Sequence, residues 1–103
     1  MRVVLSPEFL SRLDNLEQYV TNELSSPKAA SDLIDEILEN CSLLELFPMV
    51  GRRVIAQDNR EAIFRMILVR HFMIIYDVVN EDVVRIVNMI DAHSNESNSI
   101  VKL

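Results

Sequence analysis

The sequence predicts a two-layer α+β fold, in which an antiparallel helical hairpin covers one face of a sheet of four or five mainly antiparallel strands. Two amphipathic stretches, each opened by a proline, fill the first half of the chain, and short β-branched apolar runs fill the second half. Because both helices need a surface for their apolar stripes, the sheet must give them one face. We expect one domain over residues 1–95, followed by a polar C-terminal tail over residues 96–103.

The first half begins with a short apolar run at residues 1–5, which predicts an N-terminal strand. Ser6-Pro7-Glu8 then predicts a helix start, since serine caps helices, proline suits the first turn and glutamate suits the positive end of the helix dipole. Ser26-Pro27 repeats the capping signal and predicts a second helix directly after the first. In the first helix the apolar positions recur at spacings of three and four: Phe9, Leu13, Leu16, Val20 and Leu24. The second apolar stripe consists of Ala29, Ala30, Leu33, Ile34, Ile37, Leu38, Cys41 and Leu44.

The second half is organised around a hairpin. Arg65–Val69 and Phe72–Tyr76 are apolar runs too short for typical helices, and the polar pair Arg70-His71 between them predicts the turn. The predicted strands of this half, including the two of the hairpin, are Arg53–Ile55, Ala62–Val69, Phe72–Val79 and Val83–Ile90. Gly51 is the only glycine, and we expect it to supply an unusual backbone angle. From Asp91 onwards the chain is expected to fray, apart from Ile100 and Val101.

The composition limits the function. Cys41 is the only cysteine, so the chain cannot form an internal disulfide, and the residue is expected to fill the core. We find no secretion signal, no apolar segment long enough to cross a membrane, no glycine-rich phosphate loop and no metal-ligand spacing. The sequence therefore predicts a cytoplasmic protein without a metal or another cofactor.

The net charge of −6 is spread unevenly. Five of the ten basic residues fall within residues 52–70, whereas the flanking segments are acidic. The whole chain therefore does not look like a nucleic-acid binder, although this window could hold an anion. The candidate anion- or RNA-binding residues outside the apolar runs are Arg52, Arg53, Arg60 and Arg70. The alternative is that they form a solvated rim.

The ordered motifs resemble those of the RelE/ParE superfamily of bacterial toxins from type II toxin–antitoxin modules. The matching pieces are Leu5-Ser6-Pro7, Pro27-x-Ala29-Ala30, Leu46–Arg52, the strand pair Arg65–Tyr76, and a last strand that ends in Asp91-Ala92-His93. The resemblance covers residues 1–95. It implies a small toxin that is held inactive by a cognate antitoxin in a hetero-oligomer.

The resemblance leaves the target open between two branches. The RelE-like branch resembles a metal-independent endoribonuclease that cuts messenger RNA on the ribosome, whereas the ParE-like branch poisons DNA gyrase by binding. For the nuclease, Arg65 or Arg52 would hold phosphate and His93 would act in proton transfer. His71 also titrates in the useful range but lies at the predicted turn.

Three residues depart from the ribonuclease branch and favour the ParE-like branch. Met73 and Asn88 stand where the ribonuclease branch usually carries arginines, and Ser94 stands where some of its members have tyrosine. The acidic total also fits poorly with ribosomal RNA, whereas the arginine-rich window 52–70 favours the nuclease. We therefore expect a toxin that acts on a protein target, with the messenger-RNA endoribonuclease as the alternative. A second alternative is an inactive family member or a plain protein-interaction domain.

Overall fold

The two predicted helices form where the capping serines place them. The Ser6 hydroxyl accepts a hydrogen bond from the Phe9 backbone N–H, and the Ser26 hydroxyl accepts one from the Ala29 N–H, each at 3.1 Å. Ser25 adopts a left-handed conformation, with φ of 49°, and ends the first helix. The short link turns the second helix back against the first, which confirms the antiparallel hairpin.

The computed structural model describes every residue from 1 to 103. In chain order its regular elements are β1 (Arg2–Leu5), α1 (Pro7–Leu24), α2 (Pro27–Ser42), a short 3₁₀ helix (Leu43–Glu45), β2 (Arg52–Ala56), β3 (Asn59–Val69), β4 (Phe72–Val78), β5 (Val83–Asp91), a second 3₁₀ helix (Asn95–Ser99) and β6 (Ile100–Lys102). None of its helices has both the length and the apolar character that a membrane crossing requires.

The sheet contains six strands in the order β1-β5-β4-β3-β2-β6. Only β1 runs parallel to its neighbour, which is β5. The helical hairpin follows β1 in the sequence and separates it from the other five strands. All other neighbours are antiparallel. The turn between β3 and β4 falls at Arg70-His71 as predicted, and Arg70 has a φ of 54°.

The main core lies between the helices and one face of the sheet, which confirms the two-layer α+β prediction. Its fully buried members come from both layers: Phe9, Ile37, Cys41, Leu44, Ile74, Tyr76, Val84 and Ile86. Burial in these apolar surroundings raises the pKa of the Cys41 thiol to about 12, so the predicted role of Cys41 as a core residue is confirmed.

The opposite face of the sheet has a smaller core, and this core corrects the expected strand count and the expected fraying of the tail. Its buried members are Val54, Met66, Met73, Ile75 and Ile90, against which Ile100 packs. Residues 100–102 pair with β2 as a sixth strand, and the Arg12 guanidinium holds the preceding 3₁₀ helix through Glu96. The tail is ordered because its apolar residues cover this second core.

Candidate functional site

Arg65 lies on β3 directly opposite Tyr76 of β4. Its Nη1 donates to the backbone carbonyl of Gly51 at 2.8 Å and to that of Met49 at 3.2 Å. This arginine within the apolar run supplies a charged donor to two loop carbonyls. Arg65 is therefore engaged by the segment between the 3₁₀ helix and β2.

Tyr76 forms hydrogen bonds to the same loop. Its side chain is fully buried, its hydroxyl accepts from the Gly51 N–H at 2.8 Å, and it donates to the Pro48 carbonyl at 2.9 Å. Burial raises the pKa of the phenol, while the Gly51 N–H and the nearby charge of Arg65 partly oppose that rise. We call Pro48–Gly51 with Arg65 and Tyr76 the loop clamp.

The prediction of an unusual backbone angle at Gly51 is wrong, since no glycine has a positive φ. Glycine is required here for space. A β-carbon at this position would lie 2.5 Å from the Tyr76 hydroxyl oxygen and 2.9 Å from the Met66 carbonyl oxygen. The close approach of the loop to the phenol therefore excludes any side chain.

His93 lies just beyond β5 at a different end of the sheet. Its imidazole stacks on that of His71, with ring centroids 5.2 Å apart and planes 6° apart. The Asp91 carboxylate accepts from the His93 backbone N–H at 2.8 Å and lies 4.0 Å from Nε2 of His71. Both histidines and the aspartate side chain are accessible to solvent. We call His71, Asp91 and His93, with the neighbouring Arg70, the histidine end.

The structure does not bring Arg65 and His93 together. Arg65 pairs with Tyr76, whereas Asp91, two residues before His93, pairs with Phe72. Four residues along β4 separate these two registers, which is a distance of about 13 Å in an extended strand. The two candidate side chains therefore start from different points along the sheet.

The other candidate arginines are also dispersed. Arg52 and Arg53 are adjacent on β2 and so point to opposite faces of the sheet, and Arg60 is exposed at the start of β3. Arg70 forms an ion pair with Glu36 of α2, with Nη2 and Oε2 2.7 Å apart. A common anion-binding site for these residues stays a prediction.

The face of the sheet that the helices leave free carries an apolar cavity of about 320 Å³. Its wall is formed mainly by Val54, Phe64, Ile75, Val87, Ile90 and Ile100, with Asn88 as a polar member. Asn88 turns its side-chain oxygen to the Met89 N–H at 2.8 Å. Met73 is buried on the same face. The two positions that lack arginine thus belong to a largely apolar surface, and the nearest cation beside Met73 is Lys102, which lines a neighbouring pocket with it.

The largest concentration of exposed apolar side chains lies on the loop that the clamp holds. Leu46, Phe47, Met49 and Val50 are between 59% and 74% exposed. Hydrogen bonds from Arg65 and Tyr76 hold the backbone of this loop while these side chains stay exposed. Such a surface is suited to contact with another protein.

Sequence reasoning missed the role of Tyr76, which it treated as a half-buried strand residue. The signal was available in the pairing of Arg65 with Tyr76 across the predicted hairpin. Two polar side chains opposite each other within apolar runs indicate a shared polar partner, and here that partner is the loop that contains Pro48 and Gly51.

A small two-layer protein of this topology is also found among solved toxin–antitoxin structures. A chain of the structure described as the chromosomal ParDE TA system from P. aeruginosa superposes with a TM-score of 0.72. The superposition covers 90% of this chain and 97% of that chain at 15% sequence identity. A search of curated proteins gave no match.

The family comparison is more specific than the fold. Residues 3–95 match the family described as the ParE toxin of the type II toxin–antitoxin system, parDE. The chain therefore belongs to the ParE toxin family, which confirms its recognition as a RelE/ParE superfamily toxin.

Proposed function

We propose that this toxin arrests bacterial growth in the cytoplasm by binding a protein target, DNA gyrase, and that a cognate antitoxin neutralises it. The single observation that carries this proposal is the apolar character of the free sheet face. A nuclease needs cations and a proton-transfer group around one phosphate. Here Met73 and Asn88 take the arginine positions, and the register of Arg65 lies about 13 Å along β4 from that of Asp91, which is two residues before His93.

Membership of the ParE family supports gyrase as the target within this class. The loop that carries Leu46, Phe47, Met49 and Val50 supports a protein partner, because its apolar side chains remain exposed in the isolated chain. The antitoxin is the partner that must cover apolar surface permanently, since an inactive complex has to persist until the antitoxin is removed.

The proposal is tested by controlled expression in a bacterial host, with growth, messenger-RNA integrity and the DNA-damage response measured in the same culture. We expect growth arrest, intact transcripts and induction of the damage response. Purified gyrase incubated with the toxin should accumulate DNA that is cleaved and linked to protein. Uninduced cells and gyrase without toxin are the controls.

Two results would overturn the proposal. Cut transcripts without a DNA-damage response would establish the ribosome-dependent endoribonuclease instead. Absence of arrest at confirmed expression of folded protein would establish an inactive member of the family.

A further inference from the structure

Two arginines face each other across β2 and β3. Arg53 lies directly opposite Arg65 in the register of these two strands. The Arg53 carbonyl accepts from the Leu103 N–H, so the backbone hydrogen-bonding groups of Arg53 face β6 and not β3. The two arginines therefore form a non-hydrogen-bonded pair, in which the β-carbons of opposite residues are only about 4.5–5.5 Å apart. Two positive side chains in such a pair repel each other.

No carboxylate of the chain compensates this repulsion. Neither guanidinium takes part in an ion pair, although the chain as a whole carries a net charge of −6. Arg65 uses only Nη1, which donates to the carbonyls of Met49 and Gly51. Its Nε and Nη2, together with the whole guanidinium of Arg53, make no hydrogen bond within the chain. These donors remain available to an acceptor from outside.

Both arginines line one cavity of about 370 Å³. The cavity lies where β3 and β4 separate, since β3 begins at Asn59 but pairs with β4 only from Arg65 and Tyr76 onwards. The rest of its wall is mainly apolar and consists of Met49, Ile63, Phe64, Val78 and Val79, with Asp77. The cavity thus combines two cations with apolar surface, which suits a ligand that has an anionic group and an apolar part.

Asp77 is the one acidic residue of the cavity wall. Its Oδ2 accepts from Nη2 of Arg85 at 2.8 Å, so Arg85 balances the charge of this carboxylate. Arg53 and Arg65 therefore leave the cavity with two uncompensated positive charges. A dianion would neutralise both charges, whereas a single carboxylate would neutralise only one.

We propose that this cavity binds a small phosphate monoester, with the phosphate between Arg53 and Arg65 and the organic part against the apolar wall. Guanidinium groups bind phosphate oxygens through paired, charge-assisted hydrogen bonds. No histidine lines the cavity, so the site is one for binding and not for cleavage of the ester. The inference does not depend on the proposed function, because it concerns neither gyrase nor the antitoxin.

Titration of the purified, isotope-labelled toxin, followed by NMR at backbone amides and arginine Nε–H groups, tests the site. The probes are phenyl phosphate, inorganic phosphate and benzoate, each added at constant ionic strength and above the second phosphate pKa of about 6. Phenyl phosphate should bind with a Kd of about 1 mM or lower and shift the signals of Arg53 and Arg65. Inorganic phosphate lacks the apolar part and benzoate lacks the second charge, so each should bind about tenfold more weakly.

A pair of charge-removing substitutions locates the site. Arg53→Gln removes one cation of the pair but leaves the hydrogen bonds of the loop clamp intact, so the variant should stay folded. Arg60→Gln removes the same charge from the exposed start of β3, outside the cavity wall, and is the matched control. Arg53→Gln should weaken binding of phenyl phosphate at least about tenfold, whereas Arg60→Gln should change the Kd less than about twofold.

Three results would overturn the inference. The first is the absence of saturable shifts at Arg53 and Arg65 with phenyl phosphate up to about 20 mM, which needs only the wild-type protein and so holds even if a variant fails to fold. The second is equal weakening by Arg53→Gln and Arg60→Gln, which would show general charge attraction without a site. The third is equal affinity for benzoate and phenyl phosphate, which would show that a phosphate dianion is not what the arginine pair selects.

Discussion

The loop clamp and the histidine end each contain an arginine, Arg65 and Arg70, but the two arginines make different kinds of contact. In the loop clamp, Tyr76 and Arg65 make four hydrogen bonds to the backbone of Pro48, Met49 and Gly51, and the tyrosine is fully buried. In the histidine end, His71 stacks on His93 and lies 4.0 Å from the Asp91 carboxylate, and Arg70 pairs with Glu36, all at the surface. The loop clamp holds a segment of backbone in place, whereas the histidine end consists of side-chain contacts at the surface.

This difference shows that an arginine within an apolar strand is not by itself a catalytic signal. Arg65 was the strongest candidate for phosphate binding, yet its guanidinium supports the loop that presents the exposed apolar side chains. Loss of a buried hydrogen-bond partner costs about 1–3 kcal/mol, whereas an exposed ion pair contributes about 0–1 kcal/mol. Substitutions in the two regions should therefore have effects of different size.

The largest effect is expected for Gly51→Ala. The added β-carbon would lie 2.5 Å from the Tyr76 hydroxyl oxygen, so the loop must move away and break its hydrogen bonds. We expect the free energy of unfolding to fall by about 3 kcal/mol, as measured by urea denaturation. A change below about 0.5 kcal/mol would show that the loop adapts without cost and that the clamp is not rigid.

Tyr76→Phe should have the next largest effect. The substitution keeps the ring but leaves the Gly51 N–H and the Pro48 carbonyl without their partner in a buried place. We expect a loss of about 2 kcal/mol in the free energy of unfolding. Tyr19→Phe is the matched control, because Tyr19 is 64% exposed, and it should change stability by less than about 0.5 kcal/mol. Equal effects of the two substitutions would contradict the role of the clamp.

The pH dependence of stability provides a third comparison. The pKa of Tyr76 is raised above its ordinary value of 10.0, and that of Cys41 is raised from 9.0 to about 12. The folded state therefore holds these protons longer than the unfolded state, so stability is retained below about pH 9 and falls as the pH rises towards 12. Each group contributes a slope of at most about 1.4 kcal/mol per pH unit. Tyr76→Phe and Cys41→Ala should each flatten the decline, and parallel curves for wild type and both variants would contradict this.

The smallest effect is expected at Arg70 in the histidine end. Arg70→Ala removes the ion pair with Glu36 and should cost less than about 1 kcal/mol, with the difference disappearing at high salt. Arg70→Gly removes the same pair but also relieves the left-handed backbone, where φ is 54°. The glycine variant should be the more stable of the two by about 1 kcal/mol. The opposite order would show that the turn is not strained.

Local chemistry explains why so much of the fold could be predicted. Ser6-Pro7 and Ser26-Pro27 fix both helix starts through short-range hydrogen bonds, and the β-branched runs with Arg70-His71 between them fix the central hairpin. These signals lie within a few residues of the structure that they produce. The order of the elements then leaves a two-layer arrangement as the way to bury both helical stripes.

The features that could not be predicted depend on contacts between distant parts of the chain. Gly51 is needed because Tyr76 approaches it from 25 residues away, and nothing in the sequence near Gly51 indicates that contact. The tail looked polar because Asn95–Ser99 is polar, but the three residues after it complete the sheet against β2. The separation of Arg65 from His93 likewise follows from strand register, which the spacing of residues along the chain does not reveal.

The most direct test of the central claim, that this toxin does not use an Arg65–His93 nuclease site, is expression of His93→Ala with growth and transcript integrity measured together. His71→Ala serves as the matched control, because it removes the other stacked imidazole. We predict that both variants arrest growth as wild type does and that transcripts stay intact in all three cultures. Transcript cleavage by wild type that is lost in His93→Ala but kept in His71→Ala would contradict the claim and establish His93 as a catalytic residue.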